Sequence, residues 1–389
     1  MEYRAACRGS KQEAGTGVTM KLHPPKNISE IIPYPPGKPL DELEREYGIT
    51  GSIKLASNEN PWGPSPKAVN AIRETLLSLH RYPDGSSHYL TEAVADWTGA
   101  AKEEIILGNG SNEVIEFLVK VFVQNGDEVI TSHPSFLMYQ KFVQVRGGIN
   151  IVIPLRDMQH DLQKILAMIN DRTRIIFMDN PNNPCGTLVS RERFDDFLRQ
   201  VPEDVVVVLD EAYVDFVPPG QHIDILSYIR NVEKIAPVVS LRTFSKAFGL
   251  AGLRVGFGLM HKDIVGLMHR VRQPFNINLL GQVGATAALS DKAHYDMTIR
   301  ETTKGREWLS REVEQLGCRA YPSHTNFFLI DVRGDAGAFY EAMLYKGVIV
   351  RSMTAYGFPE FIRITVGTAE ENQRFVLALD ECRKQLGYG

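Results

Sequence analysis

Lys246 sits in Thr243-Phe-Ser-Lys246-Ala-Phe-Gly-Leu-Ala-Gly-Leu-Arg254, with hydroxyls before it and an apolar, glycine-rich stretch after it. An amine in such a setting can form an imine with a carbonyl, provided burial or nearby positive charge lowers its proton affinity from the usual pKa of about 10.4. Asp210 stands directly after Val205-Val-Val-Val-Leu209, so its carboxylate emerges from a buried strand, where an unpaired charge is costly. A protonated pyridine nitrogen would pair with it and, held protonated, would act as an electron sink. Gly110-Ser111-Asn112 opens a helix, where free N–H groups and the positive end of the helix dipole offer a phosphate seat. An imine lysine, an anion for a ring nitrogen and a phosphate seat together meet the needs of pyridoxal phosphate chemistry. Tyr213, three residues past Asp210, reaches toward the 3-oxygen of such a ring, and Phe136 of His133-Pro-Ser-Phe136 offers a stacking face. Each residue alone has an ordinary structural explanation: a lysine beside a serine is usually solvated, a strand-end aspartate can cap a helix, and most phenylalanines are core.

Their common placement carries more weight. From about residue 70 strand and helix patterns alternate, which predicts an α/β fold with a mainly parallel sheet covered by helices. Ile105 to Leu107 read as a strand, and Val114, Phe117, Leu118, Val121 and Phe122 give the next helix one apolar face before Asn125-Gly126 ends it. Further strands run over Ile175 to Met178, Val205 to Leu209 and Val238 to Leu241. The polar clusters follow their carboxyl ends, where open α/β sheets bind ligands. After about residue 278 the pattern shifts to a long helix and short strands near 326–332, 348–351 and 362–366, which predicts a smaller α+β domain. Thr368-Ala-Glu-Glu371 opens a last helix as a capping box, with Phe375, Leu379 and Cys382 inward. The segment Pro33-Tyr-Pro-Pro-Gly-Lys-Pro39 cannot be helical and is expected to lie extended on a surface. The expected division is a loose extension over 1–28, an arm and part of the small domain over 29–70, a large domain over 71–277 and a small one over 278–389.

With 389 residues, 43% hydrophobic and 23% charged, the chain has the composition of a globular protein that buries a sizeable core. A net charge of −4 supplies no general basic field, which argues against nucleic acid or acidic membrane as partners and for small molecules. Cys7, Cys185, Cys318 and Cys382 are too dispersed for a zinc cage or a disulfide framework, so no metal is expected and a reducing cytoplasm is. No apolar run approaches membrane-spanning length, and residues 1–20 lack the apolar middle of a signal peptide. Gly108-Asn-Gly-Ser-Asn-Glu113 lacks the third glycine of a dinucleotide fingerprint, which disfavours a nicotinamide enzyme.

From about residue 29 to the C-terminus the chain resembles the fold-type-I pyridoxal-phosphate aminotransferases. The resemblance rests on Asn180-Pro-Asn-Asn-Pro-Cys-Gly186, Asp210-Glu-Ala-Tyr213, Ser245-Lys246 and Arg254, in the family's order. It implies Lys246 as Schiff-base lysine and proton shuttle, Asp210 on the pyridine nitrogen, Tyr213 and Asn183 on the 3-oxygen, and Phe136 against the ring. It places Gly110, Ser111, Asn112, Thr243, Ser245 and Arg254 around the phosphate, and Tyr82 of Arg81-Tyr-Pro83 in the partner's site, hence a homodimer. Cys185 departs from the more usual threonine, and Phe136 from the more usual tyrosine or tryptophan.

Within that family the resemblance is closest to the histidinol-phosphate aminotransferases, through Pro33-Tyr34-x-Pro-Gly-Lys-Pro39, Leu55-Ala-Ser-Asn-Glu-Asn-Pro61 and Ile362-Arg-Ile-Thr-Val-Gly-Thr368. It implies transamination of L-histidinol phosphate with 2-oxoglutarate to imidazole-acetol phosphate and L-glutamate, in histidine biosynthesis. Tyr34, Asn58, Asn326, Arg351 and Arg363 would line the substrate pocket. Histidinol phosphate has no α-carboxylate, so the arginines must accept its phosphate and then the carboxylate of glutamate. A threonine-phosphate decarboxylase and an aromatic amino-acid aminotransferase are alternatives on the same scaffold. A regulator that reads DNA is disfavoured, because the residues ahead of the match show neither paired periodic helices nor a basic stripe.

Overall fold

The computed structural model describes residues 22–33, 40–231 and 235–388, so the extension up to residue 21 and most of the proline-rich segment, Tyr34 included, lie outside the described residues. In chain order the strands are β1 (Ile53–Lys54), β2 (Ile105–Gly108), β3 (Glu128–His133), β4 (Ile149–Pro154), β5 (Thr173–Asp179), β6 (Val206–Asp210) and β7 (Val238–Thr243). They continue with β8 (Gly256–Leu259), β9 (Arg319–Ala320), β10 (Phe327–Asp331), β11 (Val348–Ile349), β12 (Arg351–Ser352) and β13 (Phe361–Thr365).

The larger sheet has the order β2-β8-β7-β6-β5-β3-β4. Its pairings are parallel except where β8 runs against β2 and β7. Successive residues of a strand face opposite sides, so a strand covered on both sides must be apolar throughout. The valine run of β6 obeys this rule. Val207 and Leu209 join the core shared with the helices His88–Thr98 and Arg191–Leu198, while Val206 and Val208 join the core beneath Ser111–Phe122 and Lys262–Val271. The smaller unit has the antiparallel order β12-β13-β10-β9 beside the short parallel pair β1–β11. Its core unites Phe328, Ile330, Ile362 and Ile364 with Phe339, Phe375 and Leu379 of two covering helices.

The expected division at residue 278 is displaced. The helix Leu279–Leu289 lies beyond it, yet Ala285, Ala288 and Leu289 belong to the larger core. Small residues permit this close approach: a Cβ at Gly284 would stand 2.7 Å from Leu253 Cδ1 and 3.1 Å from Ile72 Cδ1. The seam falls instead along the helix Lys292–Gln315, where Tyr295 and Ile299 pack on the larger core and Leu309 and Val313 lie in the smaller one. Among the described residues no helix is long and apolar enough to cross a membrane.

The last helix, Ala369–Leu386, starts where the capping box predicts. Thr368 Oγ1 accepts from the Glu371 N–H at 3.2 Å, and Glu371 Oε2 accepts from the Thr368 N–H at 2.8 Å. Thr368→Ala is expected to cost about 1 kcal/mol, read as a lower urea midpoint with an unchanged slope.

Candidate active site

The carboxyl ends of β5, β6 and β7 open on a cavity of about 280 Å³, whose far wall carries Arg351 and Arg363 of the smaller sheet. β6 ends there in Asp210, which is only 5% exposed. Its carboxylate accepts from Tyr139 Oη at 2.8 Å and from the Ala212 N–H at 3.1 Å. Burial, with the Asp179 carboxylate adding to it, outweighs those bonds and pushes the Asp210 acid up to about 7. That shift corresponds to roughly 4 kcal/mol against the ionised form. No ion pair reaches Asp210 among the described residues, so its charge awaits a cation from a ligand.

Lys246 lies in the turn after β7, with its amine enclosed in the cavity, 3.4 Å from the Ser57 carbonyl oxygen and 5.6 Å from the centre of the Tyr213 ring. Burial brings its pKa down to about 8, assisted by the positive charges of Arg363 and Arg254 and opposed by Glu59. Roughly a tenth of the amine is therefore neutral at pH 7, against well under a thousandth for a free lysine. Tyr213 is buried with its hydroxyl accepting from Asn58 Nδ2 at 2.9 Å, and burial pushes its phenol up to about 12.

β5 ends in Asp179, in register with Asp210. Its carboxylate accepts from Ser135 Oγ at 2.9 Å, Asn182 Nδ2 at 3.0 Å and the Asn183 N–H at 2.8 Å, and His160 Nε2 lies 3.3 Å away. These bonds pin the turn that presents Asn183. Phe136 also lines the cavity, edge-on to Tyr139 with ring centres 5.5 Å apart.

At another side, Ser111 and Asn112 begin the helix Ser111–Phe122 behind Gly110, whose φ of 77° suits glycine. A Cβ at Gly110 would stand 2.6 Å from Arg254 Nη2, and one at Gly256 would stand 2.4 Å from the Ser111 nitrogen. Glycine at both positions thus lets a guanidinium and a helix N-terminus close on one spot. Thr243, which accepts from the Ser245 N–H at 3.1 Å, and Ser245 complete it. Converging donors at one end, a buried acid at the other and an amine of lowered basicity between them fit pyridoxal phosphate.

On the far wall Arg351 and Arg363 are directly paired across β12 and β13, so both guanidinium groups project from one face. Like charges directly opposite are unfavourable unless an anion joins them. Arg363 is buried, donates to Asn183 Oδ1 at 2.5 Å and to the Ala56 carbonyl oxygen at 2.9 Å, and lies over the Phe327 ring.

Two expected residues stand elsewhere. Asn326 is buried and is not among the residues lining the cavity; its Nδ2 donates to the carbonyl oxygens of Asn58 at 3.2 Å and Glu59 at 3.5 Å. Tyr82 is 83% exposed, stacks on Phe275 and does not line the cavity of its own chain. Sequence reasoning gave no role to Tyr139, Asp179, Glu59 or Tyr356, all on the cavity wall. A signal existed for two of them: Tyr139 follows Phe136 by three residues, and Asp179 ends an apolar strand as Asp210 does.

This fold and this cavity define an aminotransferase. The chain belongs to the family of class I and II aminotransferases, whose model matches residues 50–379. It is 63% identical to the histidinol-phosphate aminotransferase of Desulfotalea psychrophila over 95% of this chain and 98% of that one. It is 45% identical to that of Moorella thermoacetica, over 91% of each. Among solved structures, the histidinol-phosphate aminotransferase of Sinorhizobium meliloti in complex with pyridoxal-5'-phosphate superposes with a TM-score of 0.86 at 28% identity, covering 96% of this chain and 100% of that one.

The Lys246 shift makes a prediction that needs no cofactor. Because its folded pKa is depressed to about 8, the unfolded chain binds the extra proton between there and its ordinary value, so stability rises with pH across that window. Lys246→Met is expected to stabilise the cofactor-free protein by roughly 3 kcal/mol at pH 7, with the gain shrinking toward pH 10. Denaturation midpoints of both proteins across that range check it, and a gain independent of pH would contradict the assigned cause.

Proposed function

We propose that the chain is a pyridoxal-phosphate-dependent transaminase of L-histidinol phosphate, with 2-oxoglutarate as amino acceptor and L-glutamate as product, in histidine biosynthesis. The observation that carries this assignment is the cross-strand arginine pair facing the cavity that encloses Lys246. Two adjacent guanidinium groups match a phosphate dianion, and the same pair can take the carboxylate of glutamate in the other half-reaction. The relatives at 63% and 45% identity bear the name of that activity.

When bound, the cofactor supplies an electron sink for the pair of electrons left at the amino-bearing carbon. Asp210 pairs with its ring nitrogen, and the pairing keeps the carboxylate ionised despite burial. Tyr213 and Asn183 hold the 3-oxygen, and Phe136 covers the ring face. Gly110, Ser111, Asn112, Thr243, Ser245 and Arg254 hold the phosphate. Lys246 Nζ would hold the cofactor covalently in the resting enzyme and, once freed, its amine would take the proton from the substrate's amino carbon and later return one. Arg351 and Arg363, together with Tyr34, would orient the phosphate end of the substrate.

The unit proposed is a homodimer in the cytoplasm. The exposed apolar side chains of Leu76, Leu77, Leu79, Tyr82, Tyr89 and Phe275, with Tyr82 stacked on Phe275, support a second copy as their cover, which would bring Tyr82 to the partner's phosphate site.

Mixing the loaded enzyme with histidinol phosphate, threonine phosphate or phenylalanine and following loss of the lysine-bound absorption ranks the substrates. Histidinol phosphate is expected to convert fastest; carbon dioxide released from threonine phosphate, or faster conversion of phenylalanine, would overturn the assignment. Lys246→Ala is expected to abolish turnover. Arg351→Ala is expected to lower kcat/KM for histidinol phosphate by roughly 10- to 100-fold, the loss of a charge-assisted bond of about 1.5–3 kcal/mol, measured by steady-state kinetics.

A further inference from the structure

Asn58 is 2% exposed and holds a left-handed backbone at φ 55°, a conformation that asparagine tolerates better than most residues and that clusters at functional sites. It belongs to a segment laced to the smaller sheet. The Leu55 carbonyl oxygen accepts from the Thr365 N–H at 2.8 Å, and the Ala56 carbonyl oxygen accepts from Arg363 Nη2. The Asn58 N–H donates to Thr365 Oγ1 at 2.9 Å, and the Asn58 carbonyl oxygen accepts from Asn326 Nδ2 at 3.2 Å. The side chain then reaches the other way, to Tyr213 of the larger domain.

The hydrogens along this chain of bonds have one consistent assignment. Thr365 Oγ1 already accepts from the Asn58 N–H, and its own hydrogen goes to Asn58 Oδ1 at 3.3 Å. Oδ1 is thereby turned toward Thr365, which leaves Nδ2 to donate to the Tyr213 hydroxyl at 2.9 Å. A phenol has a single hydrogen. With a lone pair of the Tyr213 oxygen taken by Asn58, that hydrogen is free to point into the cavity, and it has no acceptor among the described residues.

We propose that Asn58 is a positioning residue: seated on the smaller sheet through Thr365, it orients the Tyr213 hydroxyl so that its hydrogen is donated to the cofactor's 3-oxygen. This rests on the assignment above, in which that oxygen faces Tyr213. It also gives Asn58 a task other than substrate contact. Because the partners Thr365 and Asn326 belong to the smaller domain, the seating of that domain sets the direction of the Tyr213 hydrogen.

A hydrogen bond donated to the ionised 3-oxygen weakens that oxygen's hold on the neighbouring imine proton, so the bond lowers the pKa of the lysine-bound chromophore and its loss raises it. The test is a pH titration of the visible absorption of the loaded enzyme, without substrate, for the parent, Asn58→Gly, Tyr213→Phe and the double variant. Glycine keeps the left-handed backbone, so Asn58→Gly removes the side chain without adding strain. Asn58→Gly is expected to raise the chromophore pKa by about one unit, as Tyr213→Phe does, and the double variant to match Tyr213→Phe alone. Thr365→Val, which frees the Asn58 side chain from outside the cavity, is expected to shift the pKa in the same direction by less. An unchanged pKa in both Asn58→Gly and Thr365→Val, or a double variant whose shift is the sum of the single ones, would overturn the proposal while leaving the cofactor assignment standing. Absence of any lysine-bound chromophore in the parent would overturn the cofactor assignment itself and the proposal with it.

Discussion

The carboxylate of Asp210, buried at the end of a strand and in no ion pair among the described residues, is the constraint on which the rest of the site depends. Its position follows from β6 being covered on both faces, since a strand whose every side chain is enclosed can meet a ligand only at its carboxyl end. Neutral hydrogen bonds from Tyr139 and Ala212 do not offset its desolvation, and the neighbouring Asp179 makes the charge harder to hold. Only a positive group delivered into the cavity does so, and a protonated ring nitrogen is a group of that kind.

The opposite wall presents the complementary strain. Arg351 and Arg363 face one another across two short strands, and both Arg363 and Arg254 bear on Lys246. The cavity has carboxylates at the ends of β5 and β6 and cations along the smaller sheet and beside Gly110, with Glu59 as a further carboxylate on its wall. A ligand with a cationic ring nitrogen and an anionic phosphate is oriented by this arrangement before any specific contact forms. Asn183, fixed from below by Asp179 and bonded from above to Arg363, ties the two walls together.

Much of this was legible in the chain because the residues concerned follow strands. The valine run before Asp210, the turn from Asp179 to Gly186 and the turn holding Lys246 each read as a strand and its polar end, and the sheet brings those ends side by side. Contacts that cross between domains were not legible. Nothing in the spacing of Leu55 to Pro61 indicates that Asn58 spends its side chain on Tyr213, 155 residues away, or that Asn326 stands behind it. The place of the seam between the two cores was not legible for a related reason. The helix Leu279–Leu289 is apolar nearly all round, so periodicity could not say which core it would enter; glycine and alanine contacts with the helix Pro66–Thr75 decide that. Tyr139 was hidden because a tyrosine on an apolar helix face is usually core, and here it is both core and donor to Asp210.

Lys246 and Asp210 are shifted in opposite directions by the same cause. Burial disfavours charge on either, lowering the amine to about 8 and raising the acid to about 7, so each gains a larger neutral fraction at neutral pH than a free side chain has. A neutral amine is the form that makes the imine, whereas a neutral acid is the wrong partner for a ring nitrogen that must stay protonated. The two needs are reconciled by order of events. The lowered pKa of Lys246 would favour covalent capture of the cofactor, and a positive ring nitrogen placed against Asp210 would restore the ionised carboxylate. Part of the stability lost by burying both groups returns on loading, so the folded state and the bound cofactor are thermodynamically linked.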